Sequence, residues 1–309
     1  EYTIHHYLKG TEVKVAPDQT GTMTIGDTLT ASASTALGAE YASAHVDSYS
    51  PSQSLKMKAA GNVITVYYTV PLTITAESAS RAYNAQPLTQ PDFKVEGLVN
   101  GDQKKDITLS MTKESTITNV GSVSNVIDTT TVRFKGGELP GGYYELPTYK
   151  PGTLTITANT DEVTVTITGN HNTLVYNGSE QSVTGFTTDV GEKTITVALK
   201  EGSKAEAKGT NAGKYDMGLT KDNFTVTSQN YSNIKVVVVD GYLKIDPITE
   251  KVTVTVTEES DTVTYDGQEH SVTGYKSMTA DNALYDVTTS VRATETEAWT
   301  AKGKYVGTY

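Results

Sequence analysis

Short stretches that alternate strictly between apolar and polar residues recur along the chain and predict strands. Val163, Val165 and Ile167 alternate with Thr164, Thr166 and Thr168, and Val252, Val254 and Val256 do the same against Thr253, Thr255 and Thr257. Successive strand side chains point to opposite faces, so each stretch offers one apolar face to a core and one threonine face that can stay wet. The run Val236-Val237-Val238-Val239 is apolar on both faces and is expected to be covered on both. The best helical start is Leu219-Thr220-Lys221-Asp222-Asn223-Phe224, with Thr220 as N-cap and acid in the first turn, and it predicts a turn or two at most. The expected class is all-β with little helix.

The alternating stretches are organised by internal repeats. Tyr176-Asn177-Gly178-Ser179-Glu180-Gln181-Ser182-Val183-Thr184-Gly185 is answered by Tyr265-Asp266-Gly267-Gln268-Glu269-His270-Ser271-Val272-Thr273-Gly274, 89 residues on. A looser copy, Tyr83-Asn84-Ala85-Gln86-Pro87-Leu88, lies 93 residues upstream of the first. A second marker follows each: Asn119-Val120-Gly121, Asn211-Ala212-Gly213-Lys214-Tyr215, and Ala301-Lys302-Gly303-Lys304-Tyr305. A third, Gly152-Thr153-Leu154-Thr155-Ile156 and Gly241-Tyr242-Leu243-Lys244-Ile245, closes two of them. Markers in a fixed order at a fixed period define a repeat. Four tandem small domains are expected, over residues 1–71, 72–159, 160–248 and 249–309. Aligned on Gly213-Lys214-Tyr215 and Gly303-Lys304-Tyr305, the last lacks its final two strands. Links as short as Val70-Pro71-Leu72 predict an elongated, semi-rigid rod on the order of 120 Å long. Asn177-Gly178 and Asp266-Gly267 read as type I′ hairpin turns with Tyr176 and Tyr265 lying over them, a structural signature without catalytic weight.

Composition narrows the functional classes. The 52 threonines and 19 tyrosines suit pleated, half-buried surfaces. A net charge of −11, running from −2 over 1–71 to −5 over 249–309, argues against nucleic acid and against docking on anionic lipid. No apolar run reaches the roughly 20 residues of a membrane helix. With no cysteine, there is no disulfide, thiolate nucleophile or Cys-ligated zinc. The chain opens on strand-like Glu1-Tyr2-Thr3-Ile4 without an initiator Met or signal peptide, and is expected to be a segment of a longer protein, monomeric by itself.

Residues 1–71 carry a pattern of their own. Tyr2-Thr3-Ile4-His5-His6-Tyr7-Leu8-Lys9-Gly10 is followed by Lys14-Val15-Ala16-Pro17-Asp18-Gln19-Thr20-Gly21, Ile25-Gly26-Asp27-Thr28 and Gly61-Asn62-Val63-Ile64-Thr65-Val66-Tyr67-Tyr68-Thr69. This resembles the MucBP (mucin-binding protein) repeat of Gram-positive surface proteins. Residues 72–309, with their Tyr-Asx-Gly motif, resemble the MBG/YDG-type repeats found beside such modules, although Ala85 replaces the glycine in the first copy. The resemblance implies β-grasp-like modules of a secreted, cell-wall-associated adhesin that binds mucin glycans or a host glycoprotein. The competing expectation is a passive stalk that presents a distal domain. No binding residue is carried over by motif.

Candidate chemistry is sparse. His5 and His6 are neighbours on a strand and must face opposite ways, so they cannot pair on a metal, and His45, His171 and His270 are read with them as surface residues. The acidic clusters Asp161-Glu162 and Glu258-Glu259-Ser260-Asp261 read as solvated loops at repeat junctions and not as calcium ligands. No His-Glu-x-x-His, phosphate loop or Gly-x-Ser-x-Gly elbow is present, so no catalytic residue, metal or cofactor is expected. Tyrosine can pack one face while its hydroxyl stays wet, which makes Tyr67, Tyr68, Tyr143 and Tyr144 the candidate ligand contacts. Trp299 is expected to pack within the last repeat.

Overall fold

The computed structural model describes residues 1–137, 142–191, 194–290 and 299–309. The chain is all-β. Its helical content among the described residues is a few single 3₁₀ turns and the one-turn α-helix Val287–Ser290. No helix among them is long and apolar enough to cross a membrane. The residues form two compact units, Glu1–Val163 with Ser228–Ile234, and Thr164–Thr227 with Lys235–Tyr309.

In the first unit, a four-stranded sheet runs in the order Gln19–Gly21, Tyr2–Leu8, Val63–Thr69, His45–Ser50. The central pair is parallel, from Thr3 opposite Val63 to Leu8 opposite Tyr68. Alternation turns Ile4, His6 and Leu8, with Ile64, Val66 and Tyr68, to the inner face, where all are buried. One core then continues through Val70, Leu72 and Ile74 to Phe93 and Tyr144, so residues 1–71 share their apolar interior with the start of the first repeat.

That repeat has two three-stranded sheets. Thr73–Ala76 lies between Thr148–Lys150, parallel, and Phe93–Glu96, antiparallel. Gly152–Thr157 lies between Ala79–Ala82, parallel, and Gly121–Asn125, antiparallel. The second repeat reproduces both arrangements. Val163–Gly169 is central between Phe186–Thr188 and Ile234–Val239, and Tyr242–Asp246 is central between His171–Val175, parallel, and Gly213–Asp216, antiparallel. Leu154 and Ile156 of the one closing strand, and Leu243 and Ile245 of the other, are essentially inaccessible to solvent. The central strand of each sheet is thus where the repeat buries its aliphatic alternation.

The third repeat keeps only part of this pattern. Val254–Glu258 pairs with Tyr275–Ala280, and His270–Thr273 pairs with Thr300–Gly303. Glu258 opposite Tyr275 matches Gly169 opposite Phe186, and a bulge between Thr257 and Glu258 shifts the remainder by one residue. Trp299 is half-buried with its ring 5.5 Å from that of Tyr275.

Three expectations change. The four-valine run forms the strand Ile234–Val239 but is not covered on both sides, since Val237 and Val239 alternate outward and are exposed. At Leu219–Phe224 the expected short helical turn forms as the 3₁₀ turn Lys221–Asn223. Thr220 caps it, donating its N–H to Asn223 Oδ1 at 2.7 Å, and Phe224 already belongs to the next strand, which ends the helix.

The Asx-Gly motifs are not type I′ turns, because only their second residue has positive φ: +79° at Gly178 and +84° at Gly267. The Asx side chain supplies the missing acceptor. Asn177 Oδ1 accepts from Ser179 N–H at 3.0 Å and Asp266 Oδ1 from Gln268 N–H at 2.9 Å, an Asx-turn that mimics a type II turn. It joins strands of different sheets and not a hairpin: His171–Val175 pairs with Tyr242–Asp246, whereas Gln181–Thr184 pairs with Glu206–Gly209.

Finally, the register shifts the third-repeat marker by four residues. His270, Val272 and Thr273 oppose Gly303, Ala301 and Thr300 as Gln181, Val183 and Thr184 oppose Gly209, Ala207 and Glu206. A Cβ on Gly209 would overlap the ring of Tyr215, and one on Gly303 the ring of Tyr309. Tyr215 Oη donates to Asn211 O at 2.9 Å and Tyr309 Oη to Tyr305 O at 3.0 Å. The structural counterpart of Tyr215 is therefore Tyr309, not Tyr305. Gly303 thus belongs to the Ala-Lys-Gly shared by 207–209 and 301–303, and its Gly-Lys-Tyr match to 213–215 is out of register.

Candidate functional site

The four candidate tyrosines separate into two kinds. Tyr68 lies on the inner face of the N-terminal sheet, 1% exposed. Its hydroxyl accepts from Ser34 N–H at 2.8 Å and lies 3.0 Å from His6 Nδ1. Burial pushes the His6 pKa down, and its ring is a core element, contrary to a surface reading of all five histidines. Tyr144 is also buried, edge-on to Phe134 at 5.8 Å. Tyr143 and Tyr144 both donate to Oδ2 of Asp102, at 2.5 and 2.8 Å, while Lys135 Nζ meets Oδ1 at 2.5 Å. Burial alone would raise the Asp102 pKa, but the hydrogen bonds from Lys135, Tyr143 and Tyr144 outweigh it and hold the carboxyl below the usual carboxylate range. Burial pushes the hydroxyl of Tyr144 well above its ordinary value. This is a structural network in which a buried charge is paired and fully hydrogen-bonded.

Tyr67 is different. Residues of the parallel central pair stand side by side, which sets Tyr7 beside Tyr67 and His5 beside Thr65 on the outer face, with Ser48 opposite Tyr67 on the next strand. The rings of His5 and Tyr7 stack at 5.4 Å between centroids. Asp18 lies 3.1 Å from His5 Nδ1 and 2.8 Å from Lys14 Nζ, and the bond from Lys14 first, then that from His5, keeps its carboxyl pKa low. At the end of this face, Lys9, Gly10, Thr11, Glu12, Ser48 and Tyr67 line an open hollow of about 490 Å³. Lys9 is held there by Asp47 at 2.7 Å. Half-buried aromatic rings, hydroxyls and one fixed ion pair on a sheet face can stack on an apolar surface of a ligand while hydrogen-bonding at its edges. The sequence alone does not mark Tyr7 and His5 as ligand contacts. Their parity on the strand was legible, but their neighbours depend on a parallel pairing across more than 50 residues.

The Asx-turn residues Tyr176, Asn177, Gly178, Tyr265, Asp266 and Gly267 lie elsewhere and perform the local turn chemistry described above. Tyr176 is half-buried beside Leu243 and Ile245, whereas Tyr265 is 58% exposed.

No family model and no curated protein matches the chain. Among solved structures, the Bacillus anthracis TIE protein shows a slight similarity, at 8% identity and a TM-score of 0.15, over 81% of this chain and 47% of that one. The chain thus spans about half the length of that structure, and a likeness of this size carries no argument. Fold and site together define an all-β chain of repeated small sheets whose N-terminal sheet has an aromatic outer face.

Proposed function

We propose that the chain is a non-enzymatic binding segment of an extracellular, wall-associated bacterial adhesin, and that the outer face of its N-terminal sheet contacts mucin glycans or a host glycoprotein. The observation that carries this reading is the side-by-side placement of Tyr7 and Tyr67 on that face, next to the open hollow and surrounded by Thr and Ser hydroxyls. The location and ligand class rest on the resemblance to MucBP and MBG/YDG repeats, as does the β-grasp, end-to-end arrangement of modules, which small-angle scattering would test. The test of function is binding of the full chain to immobilised mucin and a glycan array, against Tyr7→Ser and Tyr67→Ser. Both rings lie on an outer face, so the variants should melt normally. Each should bind at least tenfold more weakly, which is about 1.4 kcal/mol. Binding unchanged in both variants would remove this face from the reading.

A stalk is the second reading for residues 72–309. It is favoured by one observation: the first two repeats build the same pairing order from different side chains, as a spacer requires. A wild-type chain that binds no glycan or glycoprotein would favour it.

A further inference from the structure

The first and second repeats share a backbone device and differ in what they set upon it. A Cβ on Gly241 would meet Asn170 O at 2.4 Å, and a Cβ on Gly152 would meet Glu77 O at 2.4 Å, so Asn170 and Glu77 are counterparts. The parallel registers extend the match, with Leu243 opposite Asn172 as Leu154 is opposite Ala79. One position earlier, the second repeat sets His171 against Tyr242. The first repeat has Ser78 and Thr153 there, and Thr153 N–H donates to Ser78 Oγ at 2.9 Å. At the 89-residue spacing the third repeat has Ser260 in place of His171, and Glu259 and Asp261 in place of Asn170 and Asn172. The fold is made in the first repeat without a ring pair, so the rings of the second are not required by the pairing.

These rings are held in place from both sides. The His171 imidazole stacks on the Tyr242 phenol, with 5.3 Å between centroids and 21° between planes. From the antiparallel neighbour, Lys214 Nζ lies over the same phenol at 4.8 Å and is held by Asp216 at 2.6 Å. Contacts from two strands fix the phenol, and the phenol orients the imidazole. His171 also lines a hollow of about 360 Å³ with Thr168, Asn170, Asn172, Val183 and Thr187. That volume falls within the roughly 300–1,000 Å³ of small-molecule sites. Asn170 is anchored there, donating Nδ2–H to Thr184 O at 2.8 Å. No Asp, Glu, Lys or Arg is among the described residues that line the hollow. A ring, an apolar wall, amides and hydroxyls can stack on the C–H face of a sugar and hydrogen-bond its hydroxyls. The same imidazole–phenol stack, His5 on Tyr7 at 5.4 Å and 21°, stands on the N-terminal outer face.

We propose that the second repeat carries a glycan site of its own, in which a neutral sugar unit stacks on His171 and is hydrogen-bonded by Asn172, Thr168 and Thr187. The ligand class rests on the glycan-binding reading above, but the site does not depend on the N-terminal face. An acidic sugar is disfavoured, because the hollow offers its carboxylate no Lys or Arg. The second repeat is then a binder and not a spacer.

The test titrates galactose, N-acetylgalactosamine and sialic acid, each to millimolar concentration, into the full chain and follows backbone amide shifts by NMR. Saturable shifts are expected at residues 168–172 and 187 with the neutral sugars, and none at Ser78 or Thr153. His171→Ser combined with Tyr242→Thr installs the first repeat's pair and should weaken this binding at least tenfold. Tyr7→Ser combined with Tyr67→Ser should leave it unchanged, so the two faces are read separately. Shifts confined to the N-terminal face, or equal binding by the His171/Tyr242 variant, overturn the proposal and leave the N-terminal reading standing. Shifts confined to 168–172 and 187 support the proposal and remove the N-terminal face instead. Tighter binding of sialic acid than of the neutral sugars overturns the assignment of a neutral ligand, and no shift with any sugar overturns both readings. The wild-type map decides the matter even should the double variant fail to fold.

Discussion

The second and third repeats begin from nearly the same sequence and reach different structures. Both form the opening pair, Val163–Gly169 with Phe186–Thr188 and Val254–Glu258 with Tyr275–Ala280, and both form the pair that follows the Asx-turn. They part at the segment just before that turn. His171–Val175 is a strand and residues 260–264 are not, although Thr262-Val263-Thr264-Tyr265 alternates as well as Thr173-Leu174-Val175-Tyr176. His171–Val175 takes its ladder from Tyr242–Asp246, about 70 residues away. A segment's own propensity is insufficient here. It becomes a strand when a central partner supplies both its ladder and its apolar cover.

The comparison breaks most directly at Leu243. Leu243→Ala removes a fully buried side chain from the middle of the sheet and should destabilise the second repeat by about 3 kcal/mol in a denaturant melt. Exchange at His171–Val175 and Gly213–Asp216 should rise toward that of residues 260–264. A loss under about 1 kcal/mol would show that the closing strand does not hold those neighbours.

The first unit differs from both repeats in burying a charge. Asp102→Ala strands the hydroxyls of Tyr143 and Tyr144 and should cost about 2 kcal/mol. Because the folded pKa of Asp102 is depressed, its contribution is present above the ordinary carboxylate value near 4 and is lost as pH falls through the lower folded value. In chemical melts between pH 5 and pH 2, Asp102→Asn should therefore lose stability less steeply than the wild type. Parallel curves would remove the ion from the account of this unit.

How far these features were legible follows from the distance over which each is determined. Alternation marked Val163–Gly169 and Val254–Glu258, and the repeat markers located the Asx-turns, because both are local. The turn type was misread, because Asn-Gly and Asp-Gly suit a type I′ turn as well, and only the side-chain bonds to Ser179 and Gln268 distinguish the two. Val236–Val239 looked like an interior strand, yet its outward valines have no layer over them, a property of what packs nearby. The outer aromatic face was half legible. Parity paired Tyr67 outward against Tyr68 inward, but the partnership with Tyr7 needed the long-range parallel register. Nothing in the sequence flagged Asp102, whose role depends on the convergence of Lys135, Tyr143 and Tyr144.

At the Asx-turn the comparison can be sharpened with smaller effects. Gly178→Val places a β-branched residue at φ +79° and should cost about 1–2 kcal/mol. Its Cβ would also press on Leu284 Cδ2 at 2.6 Å, whereas a Cβ on Gly267 meets nothing within 4 Å. Gly267→Val should therefore show the backbone cost alone, read from loss of local exchange protection at His270–Thr273. Gly178→Val with unchanged melting would show that the turn tolerates a branched residue at positive φ.

The smallest effect is expected in the first repeat, where the same turn is made without glycine. Asn84 Oδ1 accepts from Gln86 N–H at 3.0 Å, as its counterparts do, and Ala85 takes φ +63° in the glycine's place. The turn is thus set by the Asx side chain, and Ala85 is drawn into a left-handed conformation that disfavours a Cβ by roughly 1 kcal/mol. Ala85→Gly removes that strain, while the extra freedom of glycine in the unfolded chain returns about half of it. A net gain of about 0.5 kcal/mol is expected, seen as a higher denaturant midpoint at unchanged slope. Gly267→Ala, the reciprocal change at an unobstructed site, should lose about as much. A lower midpoint for Ala85→Gly would mean that the first repeat holds Ala85 without strain, and that the three turns, alike in their hydrogen bonds, are not alike in energy.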